Sequence, residues 1–254
     1  MALSVSDIVQ QAAGSTGAAT TSTVTPTLPS GTATGRTLLI VVVADTTVAT
    51  PAGFVRDVVQ VNNDGHYLFH RTTTAGETSW AVALNSASAA CWWVAEVSGL
   101  ASAPFDAASV SDGSSGQASS FSTGTTGPIS RADSLLLATV GTSAATNPGA
   151  TSTAWTNGFT QQATTSTTRP SGTNVGLGVA VRFPGAVATY ETTASTAFAA
   201  HTAALTVYSG APPGTQRDVG MRAGDPVAGW SVAGPRAGWA VGSPAGAWQV
   251  SDPT

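Results

Sequence analysis

The 254-residue chain has a formal net charge of −4 and only 9% charged residues, against roughly a quarter in an ordinary soluble domain. All nine basic residues are arginines, which excludes chemistry that needs a lysine amine: Walker phosphate loops, Schiff bases and Ser-Lys nucleophile pairs. The acidic balance argues against nucleic acid, whose phosphates need clustered positive charge.

Cys91 is the single cysteine, so no internal disulfide is available. It stands beside Trp92 and Trp93 in an apolar run and reads as a buried, inert thiol. A body of about 200 residues buries roughly 70% of the surface its unfolded chain exposes and needs no covalent staple. Met1 to Gln11 has neither the basic nor the apolar region of a secretory signal. The longest apolar run, Leu38 to Ala44, falls far short of the ~20 residues of a bilayer helix. The expectation is a soluble chain without export signal or membrane insertion.

Taken in order, the elements are strands. Helical periodicity is nearly absent, and short apolar or alternating runs are bounded by Gly, Pro, Asn, Asp and Thr clusters. Ser4 to Gln10 and Ser22 to Pro26 are expected as edge strands of a first sheet. Thr37 to Ala44 is a continuous β-branched run suited to burial on both faces. Phe54 to Val61 mixes apolar residues with Arg56 and Asp57, the pattern of a half-exposed strand. Asn62-Asn63-Asp64-Gly65 is a hairpin signal. His66 to Arg71 then alternates, with Tyr67 and Phe69 on one face and His66, Leu68 and His70 on the other. Trp80 to Leu84 and Ala89 to Val97 complete the set.

The second half repeats this plan about a hundred residues later. Ser134-Leu135-Leu136-Leu137 echoes Thr37-Leu38-Leu39-Ile40, and Asn157-Gly158-Phe159 echoes Ala52-Gly53-Phe54. Val175 to Arg182 answers Tyr67 to Arg71, each run ending in arginine, and Tyr190-Glu191-Thr192 takes the place of Glu77 to Trp80. Ala199 to Gly210 matches Ala89 to Gly99 down to a terminal Ser-Gly. One half would expose an apolar sheet face, so the halves (about 1–107 and 127–210) are expected to close as one antiparallel β-sandwich, jelly-roll-like, with 108–126 as the Ser/Gly-rich connection. Two tandem sandwiches are the alternative architecture.

After Gly210 the chain changes character. Residues 211–218 read as a linker, and 219–254 carry a nine-residue repeat, approximately Ala-Gly-Trp-x-Val-x-x-Pro-x. Trp230, Trp239 and Trp248 are nine apart, as are Pro226, Pro235, Pro244 and Pro253, and Val232, Val241 and Val250 follow each tryptophan by two. In an extended segment Trp and the Val two places on share a face, and the Pro breaks the run. The unit cannot build its own core, so its indoles must find a surface elsewhere. The expectation is an extended arm that docks on its own body, on sister subunits or on a larger assembly. The bland alternative is a coil packed back on its own domain.

Chemistry is sparse. His66 and His70 are four apart on a strand, hence about 13 Å, too far to share one ion. His201 interrupts an apolar strand and reads as structural. No Gly-x-Ser-x-Gly elbow occurs. Asp45, Asp57, Asp64, Glu77, Glu96, Asp106 and Glu191 are the carboxylates open to glycoside chemistry, and Glu96 is expected to face solvent. Neither catalysis nor a metal or cofactor site is expected. Tyr67, Trp80, Trp92 and Trp93, with Asp64, could form a glycan or interface platform, since one indole of the adjacent pair must point outward.

Three motifs, Gly35 to Val43, Pro51-Ala52-Gly53-Phe54 and Trp92 to Gly99, resemble a β-sandwich of structural proteins in tailed bacteriophages infecting high-GC bacteria. There the usual form is Gly-Asn-Leu-Leu-Val, Pro-Pro-Gly-Trp and Trp followed by Glu-Tyr-Ser-Gly, once per half. The chain departs at Arg36 for Asn, at Ala52-Gly53-Phe54 for Pro-Gly-Trp and at Val97 for Tyr. The resemblance spans Leu3 to Gly210, and the Trp-Pro tail looks like C-terminal extensions of such proteins. It implies a virion component, a minor tail or tail-tip protein, with capsid decoration on the head surface as the rival reading. A glycan-binding surface module is the third. The expected partners are other copies of the chain in a homo-oligomer such as a trimer, other virion proteins and a host-surface glycan.

Overall fold

The structure is a computed structural model that describes residues 2–61, 65–111, 118–145 and 151–212. β-Branched and large apolar residues fill the central strands such as Thr37–Ala44, while turns such as Pro51-Ala52-Gly53 and Asn157-Gly158 fall between strands. The first half supplies β1 (Ile8–Ser15), β2 (Thr21–Val24), β3 (Thr37–Ala44), β4 (Val55–Val61), β5 (Gly65–Thr72), β6 (Val82–Ser88) and β7 (Ala90–Val97). The second supplies β8 (Leu100–Ser111), β9 (Ala118–Ser122), β10 (Ser134–Ala144), β11 (Ser152–Trp155), β12 (Thr160–Ser166), β13 (Asn174–Arg182) and β14 (Thr193–Gly210). Among the described residues the one helical element is a 3-10 turn at Val5–Asp7, opened by a capping box in which Ser4 and Asp7 exchange hydrogen bonds.

All strand pairs are antiparallel. The first main sheet has the order β1-β7-β3-β5-β4, and in the second β8-β14-β10-β13-β12 follow one another in the same sense. The duplication extends to the smaller strands. β2 pairs β6 as β9 pairs the start of β14, and the Val48–Leu84 bridge stands where β11 pairs β14. In the first half Ala89 interrupts the run between β6 and β7; in the second the same path is one strand, β14.

The two main sheets pack face to face, a β-sandwich core. Leu39, Val41, Val43, Leu68, Trp93 and Val97 of the first meet Leu135, Leu137, Leu177, Val179, Val181 and Tyr208 of the second. The outer face of the first sheet (Leu38, Ile40, Val42, Tyr67, Phe69, Val94) is also buried, beneath Val24, Trp80, Val82 and Leu84. Leu136, Ala138, Leu205 and Val207 occupy the outer face of the second, with Phe159 and Tyr190. All eight residues of β3 are buried, as a continuous apolar strand requires. Arg71 lies opposite Leu38 and Arg182 opposite Leu136. The two outward rows therefore correspond as Leu38 with Leu136, one residue out of step with the echo read from sequence.

Two expectations need correction. Glu96 does not face solvent: it is fully buried on the same face as Val94, since residues two apart on a strand share a face. Its carboxylate accepts from Gln10 Nε2 (2.7 Å) and the Ala33 amide (2.7 Å), with Arg36 at 3.4 Å. Ser22 to Pro26 contributes to the β2–β6 pair rather than to the first main sheet, whose edge is β1. β4 is half-exposed, with Val55 and Val59 outside, and a bulge between Arg56 and Val58 turns Asp57 inward. The 108–126 connection includes the end of β8 and all of β9, both paired to β14. The tip of the Asn62–Gly65 hairpin and the segment after Pro212, including the Trp repeat, lie outside the described residues.

At Gly141 the second sheet lies directly against the first. A Cβ there would lie 2.9 Å from both methyls of Val43 and 2.8 Å from Thr202 Oγ1. Gly141→Ala is expected to cost about 1–3 kcal/mol through overpacking, read as a lowered urea midpoint at unchanged slope.

Candidate functional site

The aromatic residues singled out from sequence form no exposed platform. Tyr67 and Trp93 are fully buried and Trp80 nearly so. Tyr67 stacks on Phe69 with ring centroids 6.1 Å apart, and Trp93 donates Nε1–H to Gln11 Oε1 at 2.9 Å. Trp92 is the outward member of the pair but is half-covered, because β1 crosses it at Gly14. A Cβ on Gly14 would fall 2.5 Å from the Trp92 ring, so only glycine lets the strand lie on the indole.

Polar side chains inside the sandwich are arranged in pairs across the layers. His70 Nδ1 meets both Asp57 oxygens at 2.7 and 2.8 Å, and Tyr208 donates its hydroxyl to Asp57 Oδ2 at 2.8 Å. This links β4 and β5 to β14, and burial together with the neighbouring carboxylate raises the Tyr208 phenol well above its ordinary value. His66 Nδ1 lies 3.2 Å from Thr202 Oγ1, again between layers. His201 stacks on Phe121 with centroids 3.5 Å apart, and burial holds its pKa down. His66 and His70 sit on one inward face as their spacing requires, each with its own partner. Among the described residues no cluster of three His, Cys, Asp or Glu could hold a metal ion. The Cys91 thiol is buried, 3.4 Å from the Val175 carbonyl.

At the surface the duplication produces two related arginine sites. In the first half Pro51-Ala52-Gly53-Phe54 forms a turn closed by Phe54 N–H to Pro51 O (3.1 Å), with Gly53 at φ 78°. Arg71 lies 5.0 Å from the Phe54 ring centroid and 5.9 Å from that of Trp80, and it is ion-paired with Glu77. This pairing is what lowers the Glu77 pKa.

In the second half Thr156-Asn157-Gly158-Phe159 closes the same way (3.2 Å), but both central residues have positive φ, 55° and 73°, the type I′ pattern. Asn157 is the only described non-glycine residue with positive φ. Its carbonyl accepts from an Arg182 terminal nitrogen at 2.7 Å, and its Nδ2 donates to the Glu191 carbonyl at 3.0 Å. The Arg182 guanidinium lies 5.0 Å from the Tyr190 ring centroid. Asn157, Gly158, Arg182, Thr189, Tyr190 and Glu191 line an open pocket of about 500 Å³.

Of these only Glu191 stands among the carboxylates considered from sequence. The shared terminal arginine of the two strand runs and their shared Gly-Phe turn were the signals that lead to the rest. The remaining carboxylates are dispersed. Asp106 accepts from the Ser130 amide and hydroxyl, and burial raises the pKa of Asp45 despite the nearby Arg169 charge. Comparison of the chain with protein-family models, curated proteins and solved structures finds no match. Among the described residues no helix is long and apolar enough to cross a membrane.

Two stability measurements follow from the interlayer groups. Burial lowers the His66 pKa to about 4 from 6.5, so as pH falls the unfolded chain takes up the proton first. The contribution is intact above pH 6.5 and declines toward pH 4, by on the order of 3 kcal/mol. His66→Gln should reduce that slope in urea titrations at stepped pH without abolishing it, because His201 acts in the same direction. Tyr208→Phe, measured at pH 7, should cost about 1.5–3 kcal/mol for the lost bond to a carboxylate.

Proposed function

We propose that the chain is a non-enzymatic structural protein of a bacteriophage virion, a minor tail or tail-tip component that assembles as a homo-oligomer with other virion proteins. The body is taken as jelly-roll-like, and the Trp230, Trp239 and Trp248 repeat as an extended docking arm. The motifs shared with phage β-sandwich proteins support this reading at the level of sequence. In the structure those motifs are framework: Leu38 to Val43 and Trp93 to Val97 are buried strand interiors.

The observation that carries the proposal is where apolar surface remains outside. Val55 and Val59 of β4 are 55% and 47% exposed and Phe105 of β8 is 41% exposed, while Val5, Val9 and Val187 are exposed away from these two strands. Both strands end their main sheets, and they approach each other at one side of the sandwich. Unpaired strand edges carrying large apolar residues are surfaces for assembly.

Truncation after Gly210 is expected to leave a folded body and to abolish incorporation into particles. Normal incorporation of the truncated chain would falsify the arm's role. Gold-labelled antibody on intact particles is expected to mark the tail or its tip; label spread over the head would instead support capsid decoration, and no label on any particle would remove both.

A further inference from the structure

The internal duplication supplies a control for the pocket beside Arg182. In the first half the equivalent arginine has a counter-charge: Glu77 pairs with Arg71, and Phe54 and Trp80 cover it. In the second half no carboxylate among the described residues pairs with Arg182. Glu191, which follows Tyr190 in the segment answering Glu77 to Trp80, is exposed and accepts instead from Thr125 Oγ1 at 2.8 Å. A guanidinium and a carboxylate therefore line one pocket without pairing to each other.

The turn below them is held in place from both sides. Asn157 takes the left-handed conformation that an Asn-Gly type I′ turn favours, and it bonds to the Arg182 side chain and to the Glu191 backbone. Tyr190 is anchored as well, its hydroxyl donating to the Ala186 carbonyl at 2.7 Å.

We infer that this pocket binds an acidic sugar, a pyranose bearing one carboxylate. The Arg182 guanidinium, backed by the Tyr190 ring, receives the carboxylate, and the Glu191 carboxylate accepts from a ring hydroxyl. A multiply charged anion such as sulfate is disfavoured by Glu191, and a neutral sugar leaves the guanidinium without a counter-charge. The volume of about 500 Å³ lies within the ~300–1,000 Å³ of small-ligand sites. This inference is independent of the assembly reading, since a virion or a non-virion protein could carry the site.

The test is saturation-transfer NMR and calorimetry on the full chain with sodium glucuronate, its methyl glycoside, glucose and acetate. Glucuronate is expected to bind, with glucose and acetate each roughly tenfold weaker or more. Arg182→Ala should weaken glucuronate by roughly tenfold to a hundredfold, whereas Arg71→Ala should leave it unchanged. Binding of both the free acid and the methyl glycoside indicates a terminal residue of a glycan; binding of the free acid alone indicates a free sugar acid. Absence of saturation transfer at ~10 mM glucuronate, well above the millimolar range of weak sites, overturns the inference, as does glucose binding as well as glucuronate. If Arg182→Ala does not fold, Glu191→Ala carries the test through an exposed side chain. It must narrow the preference for glucuronate over acetate, and an unchanged ratio overturns the assignment.

Discussion

A sheet that is apolar on both faces cannot be covered from one side only, and each half of this chain builds such a sheet. β3 has no exposed residue, and β10 and β13 are nearly as dry. The inner faces cover each other, while the outer faces are covered by small strands and loops of the same half. Each half thus supplies its own outer cover and depends on its sister for the inner one. Internal duplication is a direct solution to this requirement, because two copies of one apolar face are matched in extent and curvature.

Polar groups within so apolar an interior are placed where they join the layers. Asp57 is held by His70 from its own sheet and by Tyr208 from the other, and His66 meets Thr202 across the same gap. Hydrophobic contact alone is tolerant of sliding, whereas a buried carboxylate loses its partners on a shift of one residue. The three-residue network and the His–Thr pair accordingly set the position of one sheet against the other. Glu96 does the same work on the outer face, tying Gln10 and the Ala33 amide to the centre of the first sheet.

The strands are largely legible in the sequence, because a run such as Thr37 to Ala44 has one stable environment, burial on both sides. The duplication is legible through the turns and the terminal Ser-Gly. Buried carboxylates are not: a carboxylate read by itself suits an exposed face, and the groups that hold Glu96 and Asp57 inward lie 86 and 151 residues away in Gln10 and Tyr208. The Trp pair shows the same limit. That Trp92 and Trp93 face opposite ways follows from strand geometry, but the glycine that covers Trp92 belongs to another strand. The site at Arg182 depends on a missing ion pair, which only comparison of the two halves in space discloses.

β14 gives the body a particular mechanical character. Over its 18 residues it bonds to β8, β9, β10 and β11, and the residues at its end are fastened by Gly210 to Asp133 and Ala211 to Gly99. A pull directed along β14 would therefore stress many backbone hydrogen bonds together instead of peeling them one after another. A strand fixed on both flanks in this way resists extraction by shear.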